Sequence, residues 1–124
     1  MKRTILISIQ PRYVEQIFSG QKKFEYRRQI FTKPVNKMII YETSPTSKVV
    51  GEVSVLGVLQ GDVADIWMET RLFGGIDKES YFQYFEGKDT AYAIQLGQVV
   101  RYHPMKSLQE YGVLHAPQSF VYLE

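Results

Sequence analysis

No cysteine occurs in the chain, which excludes a disulfide framework, a thiolate nucleophile and a zinc–thiolate centre. Histidine is nearly as scarce: His103 and His115 are the only two, and neither has a second ligand at the spacing a metal would need. No metal and no cofactor is therefore expected. His103 precedes Pro104 and reads as a surface turn residue that ends a strand. No window approaches the roughly 20 apolar residues of a membrane span. The stretch after Met1-Lys2-Arg3 is broken at Ser8 and stopped by Gln10-Pro11, too short for the apolar region of a signal peptide. A cytoplasmic location is expected. No glycine loop followed by Lys-Ser or Lys-Thr is present, so a P-loop is excluded, and no nucleophile-elbow pattern supports a serine triad.

The chain has ordinary globular material instead. Of its 124 residues 44% are hydrophobic and 23% charged, which argues for a packed core and against disorder. The length suits one domain over 1–124. The net charge of +2 hides a polarity. Residues 1–48 carry ten basic and three acidic residues, while the remainder carries five basic and ten acidic ones. Such a chain either presents a basic face to a phosphate-bearing partner or cancels the field by interleaving its halves.

Residues 4–9 read as a buried strand. Pro11 opens a short helix carrying Tyr13, Val14, Ile17 and Phe18, and Gly20 supplies its left-handed end. Residues 23–28 alternate, with Lys23, Glu25 and Arg27 on one face and Phe24, Tyr26 and Arg28 on the other. A strand around Met38–Tyr41 leads through the turn Thr43–Ser47 to a long strand over 48–60, where Gly51 and Gly57 permit bends. Asp62 caps a helix carrying Val63, Ile66 and Trp67, and Phe73-Gly74-Gly75 breaks it. Asp77 caps another, with Tyr81, Phe82 and Phe85 on its apolar side and Gly87 at its end. A strand over 90–102 with a bulge at Gly97, a helical turn near 107–111 and a strand over 119–123 complete the reading. The expected fold is α+β and mainly β: a small, mostly antiparallel barrel of about six strands with inserted short helices.

The chemistry concentrates in Gly20–Arg28. Gly20 allows a sharp exit from the helix, so Lys22 follows closely on a helix terminus. Glu25 and Arg27, two apart on a strand, project from one face. Together they offer acceptors and a rigid fork of donors to a base edge or a phosphate. The other reading, which spacing alone favours, is an ordinary salt bridge with Lys22 and Lys23 solvated. Most of the aromatic residues fall at core positions. Tyr26 and Tyr41 are the better candidates for stacking on a base, because they neighbour the charged cluster or the Ser44-Pro45 turn. Arg28 reads as surface. Glu52, on an otherwise apolar strand, either pairs with a basic residue or faces solvent, and solvent is preferred.

Gly20-x-Lys22-x-x-Glu25-x-Arg27 resembles the G-x-K-x-x-E-x-R signature of the ASCH domain family, within the PUA-like superfamily of β-barrels. The likeness continues through residues 5–13, 40–53, 81–85, 91–94 and 117–120, in the family's order. It implies an RNA- or nucleotide-binding module with a charged cleft beside the barrel, lined by Lys22, Lys23, Glu25, Tyr26, Arg27, Tyr41 and Ser44. Lys22 and Arg27 would meet phosphate or base, and Glu25 would position Arg27 or accept from a base amino group. The alternative the family offers is a small hydrolase acting on a modified nucleoside or on RNA, with Lys22 and Glu25 catalytic. The branch that hydrolyses acylated cytidine has threonine in place of Glu25, and a further glutamate where this chain reads Phe73-Gly74-Gly75. Binding of RNA, a nucleotide or a nucleoside is therefore the preferred expectation.

Overall fold

The computed structural model describes residues 2–123. Six strands form one mixed sheet: β1 (Arg3–Ile9), β2 (Phe24–Arg27), β3 (Val35–Glu42), β4 (Lys48–Asp62), β5 (Thr90–Lys106) and β6 (Phe120–Leu123). Their spatial order is β2-β5-β4-β3-β1-β6. β1 and β3 run parallel, with Ile5 opposite Met38 and Ile7 opposite Ile40, and all other pairs are antiparallel. A parallel pair needs a long crossover, and the helix α1 (Pro11–Ser19) together with β2 supplies it.

β1 lacks alternation because it is covered on both faces. Ile5, Ile7 and Ile9 join a core with Val14 and Ile17 of α1, Met38, Ile40, Val53 and Ile94. Leu6 points the other way, into a cluster with Ile39, Tyr41 and Val49 beneath the 3-10 turn Leu108–Tyr111. A third cluster joins Tyr26, Ala91 and Ala93 to the helices α2 (Val63–Thr70) and α3 (Lys78–Tyr84), through Ile66, Tyr81 and Phe85. Asp62 and Asp77 cap those helices, accepting from the backbone N–H of Ala64 and Ser80 at 3.2 Å each.

Three sequence expectations change. Among the described residues no ladder joins β2 to β6, so the expected closed barrel is an open sheet with two free edges. His103-Pro104 does not end β5, which runs on to Lys106. The register jumps between the pairs Val49–Lys106 and Gly51–Arg101, and the proline falls in that bulge, where its missing N–H removes no regular ladder bond. Glu52 is not left to solvent: it accepts from the Tyr102 hydroxyl at 2.7 Å and faces Lys37 at 3.4 Å, because both neighbouring strands bring a partner to its face. The register shifts beside Gly57 and opposite Gly97 agree with the bends expected there.

Candidate functional site: a cleft around a buried lysine

The cleft begins where α1 stops. Gly20 adopts φ +85° and its N–H donates to the Ile17 carbonyl, so the chain reverses within two residues. The Lys22 N–H then donates to the Gln16 carbonyl at 3.0 Å, and the Lys23 N–H to the Phe73 carbonyl at 2.7 Å. These two bonds wedge Lys22 between α1 and the Phe73-Gly74-Gly75 loop.

The Lys22 side chain is 3% exposed. Its Nζ donates to the Gly74 carbonyl at 2.5 Å and lies 5.0 Å from the ring centroids of both Tyr13 and Tyr26. Glu25 Oε1 stands 3.9 Å away, an ion pair too long for a hydrogen bond. An ammonium has three protons to give, and only the bond to Gly74 is short. Burial holds the Lys22 pKa below the ordinary lysine value, against the raising effect of Glu25, and Arg27 adds to the lowering.

Gly74 is fixed by packing. A Cβ there would strike the Tyr26 hydroxyl and come within 2.9 Å of two ring carbons, closer than real side chains approach. The Tyr26 hydroxyl lies 2.6 Å from Thr70 Oγ1, and Thr70 donates its one proton to the Ile66 carbonyl at 2.7 Å. Tyr26 must therefore be the donor to Thr70. Burial raises the Tyr26 pKa, so the ring beside Lys22 stays neutral.

Arg27 is committed in another direction. Its Nε and Nη2 donate to Glu25 Oε2 at 3.1 and 2.8 Å, a second Nη2 bond reaches the Ser8 carbonyl at 3.0 Å, and Nη1 meets Ser119 Oγ at 3.4 Å. β6 pairs with β1 only as far as Ile7. The Ser8 N–H still donates to the Ser119 carbonyl at 3.0 Å, and the guanidinium, on the Ser8 carbonyl and the Ser119 hydroxyl, bridges β2 to the end of β1 and to the segment before β6.

These groups open on a cleft of ≈ 270 Å³, whose remaining walls come from the end of β1, Tyr13, Thr43, Ile76, Tyr84 and Gln118. Lys22, Glu25, Tyr26 and Arg27 all line it. Lys23 is exposed and borders a separate hollow with Gly20 and Leu96. Tyr41 is buried in the cluster on the far face of the sheet, and Ser44 is exposed on the turn, where Thr43 reaches the cleft instead. Tyr26 presents little free face, since Tyr81 and Phe85 pack edge-to-face against it at 4.9 and 6.3 Å. Sequence reasoning missed Tyr13, Gly74, Tyr84, Ser8 and Ser119. Gly20 and the Gly74-Gly75 pair were visible as turns, but nothing in the sequence says that a loop 52 positions away hands its carbonyl to Lys22. Among the described residues no group of three or more histidines and carboxylates could hold a metal ion.

A mixed six-stranded sheet, three short helices and a cleft lined by a buried lysine and a carboxylate shared with Arg27 define a small, mainly β domain of the α+β class. The chain belongs to the ASCH domain family, whose model matches residues 7–111. It is 36% identical over 126 residues to the large ribosomal subunit protein uL22 of Ureaplasma parvum serovar 3, covering 98% of this chain and 39% of that one. The chain thus spans well under half the length of that relative. It is 31% identical to an ASCH domain-containing ribonuclease of Zymomonas mobilis, covering 98% of this chain and 85% of that protein. The crystal structure of ASCH from Zymomonas mobilis superposes with a TM-score of 0.89 at 28% identity, covering 98% and 88% of the two chains.

Proposed function

We propose that this chain binds RNA or a nucleotide in the cleft, with Lys22 as its principal charged contact and Glu25 as the acceptor beside it. The observation that carries this reading is an ammonium 3% exposed, with one short hydrogen bond, at the edge of a cleft of ≈ 270 Å³. A buried cation with unspent donors is poised for an anionic or carbonyl oxygen of a ligand. Arg27 takes a positioning role here: it orients Glu25 and holds the wall, instead of meeting phosphate directly. The similarity to a protein named as a ribonuclease supports RNA as the ligand class. A cytoplasmic site of action goes with that reading; among the described residues no helix is long and apolar enough to cross a membrane.

Titration of the protein with a random-sequence RNA 12-mer and with UMP tests it. Lys22→Met is expected to weaken binding at least tenfold, and unchanged affinity in this variant sinks the proposal.

A second reading, hydrolysis of RNA, is favoured by one observation. A lysine whose pKa is held down by burial can exchange a proton nearer neutrality than a solvated one. Cleavage of a labelled RNA that Lys22→Met abolishes would establish it. Hydrolysis of an acylated nucleoside has less support, because Glu25 is the one carboxylate among the described residues lining the cleft.

A further inference from the structure

Two exposed arginines are each laid on a tyrosine that lines the cleft. The Arg12 guanidinium lies 4.6 Å from the Tyr13 ring centroid, and that of Arg28 lies 5.2 Å from the Tyr84 centroid. Tyr13 belongs to α1 and Tyr84 to α3, so the two cations sit on walls built by different elements. Three other cations face carboxylates, Arg27 on Glu25, Lys37 on Glu52 and Arg101 on Glu15, and Lys33 and Lys106 lie on Tyr122 and Tyr102, outside the cleft lining. Among the described residues neither Arg12 nor Arg28 has such a partner.

We infer that Arg12 and Arg28 are phosphate contacts on two rims of the cleft, so that the ligand is a single-stranded RNA and not a free nucleotide. The inference rests on the proposed RNA reading of the cleft and narrows it. At ≈ 270 Å³ the cleft falls just below the usual range for drug-sized ligands and suits one base with its sugar. A mononucleotide lodged there could reach one rim. A strand passing through offers a phosphate on each side of the lodged nucleoside, and stacking on tyrosine keeps each guanidinium planar against the wall with its N–H edges free to donate. The contacts would be read by charge and be indifferent to sequence.

Binding of the random-sequence RNA 12-mer to the full chain, measured from low to high salt, tests this. Each phosphate neutralised on a single strand contributes about 0.7 to the slope of log affinity against log salt. The double variant R12A/R28A is expected to lower that slope by about 1.4, and R12K/R28K to restore most of it. An unchanged slope in R12A/R28A overturns the inference, as does a loss that lysine fails to restore. A change of only about 0.7 leaves one contact and overturns the two-rim arrangement. Both arginines are exposed, so circular dichroism melts should show the variants folded. Lys22→Met separates the two proposals. If binding needs Lys22 while the arginine slope is unchanged, the cleft stands and the rims fall. If UMP binds the wild-type chain and the 12-mer does not, the rims fall and the cleft stands; if neither binds at any salt, both fall.

Discussion

Lys22 is where residue chemistry and site chemistry meet. A lysine with a lowered folded pKa binds its proton less tightly in the folded than in the unfolded chain. Between that lowered value and the ordinary 10.5 the unfolded chain therefore holds more protons, and Lys22's contribution to stability rises with pH. The buried tyrosines act with the opposite sign: Tyr26 and Tyr84 have raised pKa values, so above about pH 10 they cost stability as pH climbs. The difference between wild type and Lys22→Met removes the tyrosines and should leave the lysine alone. Urea unfolding across pH 7 to 10 is expected to show wild type gaining on the variant as pH rises. At the neighbouring position, Gly74→Ala should destabilise by about 1–3 kcal/mol through overpacking against Tyr26. The clash falls first on the hydroxyl, so combining Gly74→Ala with Tyr26→Phe should cost less than the sum of the single changes in a double-mutant cycle. Strict additivity would show that the loop moves away instead.

At the scale of elements, the sequence disclosed what is local. The cap at Gly20, the helices begun by Asp62 and Asp77, and the cluster Lys22–Glu25–Arg27 could all be read, because each depends on neighbours within a few positions. The misread features depend on register between distant strands. Glu52 has its partners on β3 and β5, Pro104 is sheltered in a bulge against β4, and Tyr41 turns to the far face of the sheet. The role of Arg27 belongs to the same class, since its fork reaches Ser8 and Ser119. β2 has four residues and one ladder partner, β5, so its free side is held by that fork. Arg27→Met is expected to destabilise by about 1–3 kcal/mol, the range for stranding buried polar groups. Amide exchange should locate the loss: residues 24–27 are expected to exchange faster while β3 and β4 keep their protection. A uniform rise over the whole sheet would refute the bridging role.

Over the whole molecule, the charge polarity of the sequence resolves into a division of labour. Part of the basic first half is consumed in pairs with Glu25 and Glu52, and part lies on tyrosine rings, two of which line the cleft. The polarity is thus a poor guide to a uniform basic face, since pairing and ring contacts distribute its cations over several elements. The three apolar clusters share a single sheet, with β1 contributing to two of them. Loss of β1 packing should therefore abolish cooperative unfolding altogether, whereas changes at the cleft should not.

The side-chain seam also has a consequence for time. β1 finds β3 across about thirty residues, yet its other neighbour is β6, and Thr4 pairs with Leu123. The bonds that complete the cleft wall, Ser8 to Pro117 and Arg27 to Ser119, likewise wait for that distant segment. During synthesis the main core can gather around β1, β3, β4 and α1 before the wall exists. A chain ending at residue 115 is accordingly expected to collapse around that core while failing to hold RNA. Competence would then be acquired only when the segment from Pro117 to Leu123 joins β1 and completes the wall.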